Sequence, residues 1–118
     1  MAVQHYSGGC QCGAVHYEVD VDLDRTVTCN CSRCRRVGGI LAFAPASAFT
    51  LTSGEGKTTE YLFNTGKIHH LFCTSCGIES FARGTAPDGT ETVAVNARCL
   101  DGVDVKSLHP IEYDGASK

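Results

Sequence analysis

The hexapeptide CNCSRC at residues 29–34 places three thiols within six positions of the chain. Thiolates are strong ligands for zinc and for other soft metals. A structural zinc site is closed by four protein ligands, whereas a catalytic site has three and leaves a fourth position open. The three thiols Cys29, Cys31 and Cys34 therefore predict a catalytic zinc whose open corner takes a water, a hydroxide or a substrate thiolate.

Two further cysteine pairs lie nearer the ends of the chain. Cys73 and Cys76 are separated by two residues and followed by Gly77, a spacing typical of a zinc knuckle in which glycine permits a tight return. Cys10 and Cys12 are flanked by glycines. If the hairpins that carry these pairs lie side by side, the four sulfurs form a closed structural zinc site.

Other uses of the cysteines stay open at this level. Either outer pair could act in redox chemistry, although a one-residue spacer strains a disulfide and a thioredoxin-like motif requires a βαβ context. Cys99 could also join Cys29, Cys31 and Cys34 to close a second structural site, which would leave no catalyst. Alternatively, Cys99 is a small buried side chain, as free cysteines usually are.

Three arginines lie next to the last cysteine of the hexapeptide: Arg33, Arg35 and Arg36. Three thiolates around one Zn²⁺ leave a net negative charge, which neighbouring guanidinium groups can offset. The same groups can hold an anionic substrate through charge-assisted hydrogen bonds. A simpler interpretation is that the arginines form only a solvated turn.

Length and charge narrow the class of protein. A chain of 118 residues is predicted to form one domain, 1–118. Its formal net charge of −3 gives no general attraction to nucleic acid, so we expect no nucleic-acid partner; a zinc-ribbon-like binding surface would need a local basic patch.

No apolar run approaches the roughly 20 residues that cross a bilayer, so we expect no membrane partner. The first ten residues lack the pattern of a signal peptide, which predicts a cytoplasmic protein with reduced thiols.

The elements that must position these thiols are predicted to be short strands. Turns that contain glycine recur along the chain, and the segments between them are rich in β-branched and aromatic residues. Residues 15–21 alternate apolar and polar side chains, a pattern typical of a strand with one buried face. Similar strands are predicted at residues 40–44, 58–63, 68–72, 78–82 and 92–96.

Helix is predicted to be scarce. Residues 33–37 and 46–49 could each form a single turn, and residues 115–118 are expected to fray. His69 and His70 are adjacent on a predicted strand, so their side chains point to opposite faces and at most one could enter a given site. A structural role is favoured for both histidines.

Four ordered motifs, GGCQCGAVHYEV, CNCSRCRRVGG, LFCTSCGI and VNARCLD, resemble the glutathione-dependent formaldehyde-activating enzyme family, also called the GFA or CENP-V family. The resemblance spans residues 7–100. It implies a mainly β, Mss4-like fold of coiled antiparallel sheets stabilised by zinc, with little helix. It also implies two zinc ions, a structural one on Cys10, Cys12, Cys73 and Cys76 and a catalytic one on Cys29, Cys31 and Cys34.

The family's named activity is the condensation of formaldehyde with glutathione to S-hydroxymethylglutathione, a carbon–sulfur lyase reaction. The resemblance therefore implies small-molecule partners, namely a glutathione-like thiol and formaldehyde or a related small aldehyde. A substrate thiol coordinated at the open corner would be deprotonated and could attack a nearby carbonyl carbon. The cations available for the carboxylates of glutathione are Arg33, Arg35, Arg36 and Lys67. A noncatalytic zinc-stabilised binding module is the alternative from a different functional class.

Overall fold

The computed structural model describes residues 3–62 and 68–117, and strands dominate this part of the chain. The described residues contain ten strands, β1 (Gln4–Gly9), β2 (His16–Val21), β3 (Thr26–Cys29), β4 (Leu41–Pro45), β5 (Phe49–Ser53), β6 (Thr58–Tyr61), β7 (His69–Cys73), β8 (Phe81–Thr85), β9 (Glu91–Asn96) and β10 (Ile111–Tyr113).

Helical segments in the described residues are short. They are the single-turn helix α1 (Cys34–Val37) and 3-10 turns at Ala46–Ala48, Ala97–Cys99, Val105–Ser107 and Gly115–Ser117. The predicted fold class, mainly β with little helix, is confirmed, and both predicted single turns are present. None of the described helices has the length and apolar character required to cross a membrane.

The strands form two sheets. One has the strand order β1-β2-β5, and the other has the order β10-β3-β4-β9-β8-β7-β6. Neighbouring strands run antiparallel, except that β10 runs parallel to β3 and sets Tyr113 opposite Cys29. The C-terminal strand is thereby brought to the end of β3, where the first cysteine of the hexapeptide lies.

One hydrophobic cluster joins the two sheets. The predicted alternation along β2 is confirmed, because Tyr17, Val19 and Val21 are buried whereas Asp20 is exposed. Burial of each such side chain stabilises the fold by about 1.5–3 kcal/mol.

Tyr17 occupies the centre of this cluster. Its ring centroid lies 4.9 Å from that of Phe49 and 5.7 Å from that of Phe81. Its hydroxyl donates a hydrogen bond of 2.9 Å to the carbonyl oxygen of Ser80. A buried phenol thus finds the partner that it needs in an apolar environment.

Two glycines that resemble a turn signal lie instead inside β1. A Cβ added to Gly9 would come within 2.2 Å of the carbonyl oxygen of Val15, and one on Gly8 within 2.6 Å of that of Cys99. Backbone segments therefore approach too closely for any side chain, which is a common reason for glycine within a strand. The sequence pattern predicts no strand at β1, nor one at β3, β5 or β10.

The strand predicted at residues 78–82 begins later, at Phe81. Ile78 is engaged elsewhere, since its carbonyl oxygen accepts a hydrogen bond of 3.1 Å from the Cys73 N–H. The residues after Cys76 therefore close the cysteine turn before the chain enters β8. The strand predicted at residues 58–63 ends at Tyr61 in the structure, and its last position, Phe63, lies outside the described residues.

Candidate metal centres

Four thiols from two hairpin turns converge in one group, which we name the four-thiol centre. Cys10 and Cys12 lie in the turn between β1 and β2, Cys73 ends β7, and Cys76 lies in the turn that follows. Their four Sγ atoms lie within 4.8 Å of one another. The Sγ of Cys12 is 3.7 Å from that of Cys10 and 3.6 Å from that of Cys73. The two pairs that the sequence separates are thus adjacent in the fold.

Backbone N–H groups stabilise negative charge in this centre. The Cys76 N–H donates to the Sγ of Cys73 at 3.5 Å. N–H groups of Cys12 and Ile78 lower the pKa of the Cys76 thiol to about 6. Because only the thiolate binds a metal ion, these hydrogen bonds favour the form of cysteine that a metal requires.

The remaining cluster, which we name the three-thiol centre, is built from the hexapeptide. Cys29 ends β3, Cys31 lies in the loop and Cys34 begins α1, and their Sγ atoms lie within 4.8 Å of one another. The Cys34 N–H donates to the Sγ of Cys31 at 3.3 Å. Within residues 3–62 and 68–117, no further cysteine, histidine or carboxylate atom completes this group.

In the three-thiol centre, the pKa of Cys34 is raised and that of Cys31 is lowered. Burial raises the pKa of Cys34, and the neighbouring Cys31 raises it further. Burial also opposes ionisation of Cys31, but the N–H and side chain of Cys34 outweigh it and lower the pKa of that thiol. Adjacent thiolates repel one another, so complete ionisation requires a cation between them. The centre is therefore suited to hold a metal ion.

Cys99 joins neither centre. Burial raises its pKa to about 11, and charges on Cys10 and Cys76 act in the same direction. Cys99 thus lies beside the four-thiol centre, and the closed set of Cys29, Cys31, Cys34 and Cys99 does not form among the described residues.

The C-terminal segment lies directly against the three-thiol centre. A Cβ added to Gly115 would come within 2.5 Å of the Sγ of Cys29. The Asn30 Nδ2 donates to the Oδ1 of Asp114 at 3.0 Å, and its Oδ1 accepts from the Ala116 N–H at 2.9 Å. The expected fraying after residue 114 is wrong for residues 115–117, because these hydrogen bonds hold them in a 3-10 turn.

Arg33, which lies between Cys31 and Cys34 in the sequence, belongs to a charge network that the sequence pattern does not predict. Its Nη2 donates to the Oε1 of Glu79 at 2.5 Å, and its guanidinium lies 4.5 Å from the centroid of the Tyr61 ring. The other carboxylate oxygen of Glu79 lies 3.2 Å from the Nδ1 of His70. Burial opposes ionisation of Glu79, but the hydrogen bonds with His70 and Arg33 outweigh it and hold its pKa below the ordinary value.

His69 and His70 contact different carboxylates, as expected for side chains on opposite faces of a strand. His69 is exposed and pairs with Glu60, whereas His70 is buried against Glu79. Neither histidine belongs to a cysteine group. The only signal for Glu79 in the sequence is its position, three residues after Cys76. Nothing in the sequence indicates that Glu79 pairs with the distant Arg33.

A cavity of about 380 Å³ opens beside α1 and is lined by Ser32, Arg33, Arg36, Val37 and Tyr61. This volume is in the range of small-molecule sites. Of the three predicted arginines, Arg33 and Arg36 line the cavity, whereas Arg35 is exposed and does not. Lys67, the fourth predicted cation, lies outside the described residues. Among the described residues, no cysteine lines this cavity or a second cavity of about 400 Å³ near Tyr6.

A known protein family and a solved structure resemble this chain over most of its length. Residues 5–113 match the family described as glutathione-dependent formaldehyde-activating enzyme. A crystal structure of a Rhodobacter sphaeroides protein, a structural genomics target, is 34% identical in sequence. The match covers 90% of this chain and 97% of that chain, with a TM-score of 0.79. The chain therefore belongs to the glutathione-dependent formaldehyde-activating enzyme family.

Proposed function

We propose that this protein is a zinc-dependent carbon–sulfur lyase that condenses a glutathione-like thiol with formaldehyde or a related small aldehyde, or cleaves the adduct. The observation that carries the proposal is the three-thiol centre, which has no fourth ligand among the described residues. Ser32 and Arg33, which separate Cys31 from Cys34 in the sequence, line a cavity that also contains Arg36. Membership of the family supports the reaction class. The proposed unit is one domain, because buried side chains of both sheets form a single cluster.

Two sulfur–sulfur distances in the four-thiol centre support zinc as the ion of this proposal. A tetrahedral ion with Zn–S distances of about 2.3 Å places its sulfur ligands about 3.8 Å apart. The corresponding distances from the Sγ of Cys12 are 3.7 Å and 3.6 Å. In the proposal, a structural zinc is held by the four-thiol centre, Cys10, Cys12, Cys73 and Cys76, and a catalytic zinc by the three-thiol centre, Cys29, Cys31 and Cys34.

In the proposed reaction, the S–H bond of the substrate thiol breaks and an S–C bond forms to the carbonyl carbon of formaldehyde. The π electrons of the carbonyl group and the thiol proton go to the carbonyl oxygen, which gives a hydroxymethyl sulfide. Zinc, when bound, would supply a positive charge that favours the thiolate form of a nearby thiol. The chain itself contributes by holding the substrate close to this centre, which replaces an encounter in solution by reaction within one site.

The cavity beside α1 suits the part of the substrate that carries carboxylates. Arg33 is already paired with Glu79. Arg36 uses its Nη1 to donate to the carbonyl oxygen of Ser32 at 2.7 Å, and its side chain is exposed. A guanidinium has five N–H donors, so Arg36 can still bind a carboxylate. Arg36 is therefore the proposed partner of the substrate anion.

Exchange NMR of ¹³C-formaldehyde with glutathione tests the reaction. Protein with metal in both centres should accelerate exchange between free formaldehyde and the adduct in proportion to its concentration, and Cys34→Ser should abolish the effect. If metal-loaded protein accelerates no exchange, the assignment to this reaction is wrong and the noncatalytic binding module is favoured.

Two neighbouring arginines provide a matched test of substrate binding. Loss of one charge-assisted hydrogen bond of about 1.5–3 kcal/mol should raise the KM for glutathione by roughly tenfold or more in Arg36→Gln. Arg35→Gln removes the same charge one residue away from the cavity lining and should leave KM nearly unchanged. Equal effects of the two substitutions would show that only overall charge matters.

A further inference from the structure

The Glu79 carboxylate is held on both oxygens by groups from separate parts of the chain. Arg33 precedes α1 and donates to Oε1 at 2.5 Å, while His70 of β7 contacts Oε2 at 3.2 Å. The exposed fractions of these side chains are 22% for Arg33, 12% for Glu79 and 6% for His70. An ion pair so shielded from water is screened less than one on the surface and has a more restricted geometry.

Arg33 connects this ion pair to the three-thiol centre through the backbone. It lies between the ligands Cys31 and Cys34, and its carbonyl oxygen accepts hydrogen bonds of 3.0 Å from the N–H groups of Arg36 and Val37. The same residue therefore belongs to the cysteine turn and starts the helix that Cys34 enters. Because the Tyr61 ring lies on the guanidinium, the side chain is confined on a second side.

Glu79 is itself fixed by the other centre. It follows Cys76 by three residues, and its segment is anchored where the Ile78 carbonyl oxygen accepts from the Cys73 N–H at 3.1 Å. The Glu79 carbonyl oxygen also accepts from the Asn96 Nδ2 at 3.3 Å. The carboxylate thus projects from a backbone that the four-thiol centre and β9 hold in place.

We propose that Glu79 is a positioning residue, which holds Arg33 and thereby sets the Cys31–Cys34 turn of the three-thiol centre relative to the four-thiol centre. Stability alone is a weak reason for such a pair, since a shielded ion pair often contributes little net free energy of folding. The proposed effect of the ion pair is geometric, because the Glu79 carboxylate fixes the position of the loop that carries Cys31 and Cys34. This inference rests on the metal-holding role that the proposed function gives to the two centres, and it does not depend on the lyase reaction.

Competitive chelation of zinc from the metal-loaded protein tests the proposal, since it reports the affinity of each centre separately. Glu79→Gln should weaken the three-thiol centre by about 10–100-fold, the usual effect of losing a partner just outside the ligands. The affinity of the four-thiol centre should change by less than about twofold, as expected for an independent site. With cobalt in place of zinc, the thiolate-to-metal absorption of the three-thiol centre should also change.

Glu60→Gln is the matched control. Glu60 also pairs with a histidine of β7, His69, but no arginine contact joins that pair among the described residues. Neither centre should lose affinity in this variant. If Glu60→Gln weakens the three-thiol centre as much as Glu79→Gln, or if Glu79→Gln weakens both centres equally or neither, the proposal is overturned.

A double-mutant cycle keeps the proposal testable if Glu79→Gln folds poorly because it leaves Arg33 with an unpaired shielded charge. Arg33→Gln and the double variant Arg33→Gln/Glu79→Gln remove that charge. If Arg33 and Glu79 act as a unit, the double variant should bind zinc at the three-thiol centre no more weakly than the weaker single variant. If they act independently, the fold-losses in affinity of the two single variants should multiply in the double variant. Fold-losses of affinity that multiply would refute the proposal that Glu79 acts through Arg33. A protein inactive towards glutathione and formaldehyde would still give these affinities, so failure of the proposed reaction is distinguishable from failure of this inference.

Discussion

The Cα of Gly115 lies so close to the Sγ of Cys29 that a Cβ at position 115 would come within 2.5 Å of the sulfur. Glycine is therefore required by space at this position. The C-terminal turn and the three-thiol centre consequently form one packed unit, although the cysteine motif and the turn lie far apart in the sequence.

Substitution Gly115→Ala should displace the C-terminal turn. Overpacking of this kind costs about 1–3 kcal/mol. The Ala116 N–H, which donates to Asn30, should then exchange with solvent roughly fivefold faster or more in hydrogen-exchange NMR. The same substitution at Gly84 is the control, since a Cβ there would meet only Ile68 at 3.8 Å. Unchanged protection of Ala116 in Gly115→Ala would contradict this packing.

Cysteine substitutions in the two centres should have opposite effects on fold and activity. A structural zinc site contributes on the order of 10–16 kcal/mol of binding free energy, comparable with the stability of a whole domain. We therefore expect Cys76→Ser, like removal of all metal, to unfold the protein in circular dichroism. Cys34→Ser should retain the fold but lose one metal equivalent in elemental analysis.

Cys99→Ser is the control for both, since Cys99 belongs to neither centre, and it should retain both metal equivalents. A metal-free sample with an unchanged melting temperature would show that the four-thiol centre does not stabilise the fold through metal.

Removal of the Tyr17 hydroxyl should destabilise the core. Tyr17→Phe keeps the ring contacts but removes one of two donors to the carbonyl oxygen of Ser80, which still accepts from the Asn96 N–H at 3.0 Å. The expected loss of stability is therefore that of one net hydrogen bond, about 0.5–1.5 kcal/mol. Urea unfolding should show this loss without a change in m value. Tyr6→Phe is the control, because the Tyr6 hydroxyl has a long 3.3 Å hydrogen bond to Gln4 at an exposed position. Equal stability of wild type and Tyr17→Phe would refute the importance of this hydrogen bond.

The exposed imidazole of His5 should have a pKa above the ordinary value for histidine. Hydrogen bonds with Asp20 and Glu18 raise its pKa above the reference value of 6.5. A raised pKa in the folded state stabilises the fold below pH 6.5, and this contribution is lost as the pH rises through the folded-state pKa.

NMR titration of the imidazole should therefore give a pKa above 6.5 in the wild type and a lower one in Asp20→Asn. Glu55→Gln removes a charge in the turn between β5 and β6 and should have little effect on the pKa of His5. A His5 pKa at or below 6.5 would show that these contacts do not form in solution.

The partition of the cysteines could be predicted from the sequence because it depends on local spacing. Short spacers confine each pair or triplet to one turn, and only the pairing of Cys10 and Cys12 with Cys73 and Cys76 required the fold. The alternation along β2 was predictable for a similar reason, since a strand with one buried face imposes a period of two.

Features that depend on contacts between distant segments could not be predicted. Gly8 and Gly9 resemble a turn, and only their proximity to Cys99 and Val15 shows that they allow close approach within a strand. Likewise, Glu79 has no local pattern that identifies Arg33 as its partner, because an ion pair between elements leaves no periodic signal in a single sequence.

The parallel pairing of β10 with β3 has a consequence for synthesis on the ribosome. Val27 and Ile111 are partners although they lie far apart in the chain, so β10 can dock only after the residues between them have emerged. All ligands of both centres precede it, since the last of them is Cys76. Closing so long a loop costs entropy, and the docking step is expected to come late in folding. Until then the three-thiol centre lacks the cover that residues 115–117 give it in the folded protein.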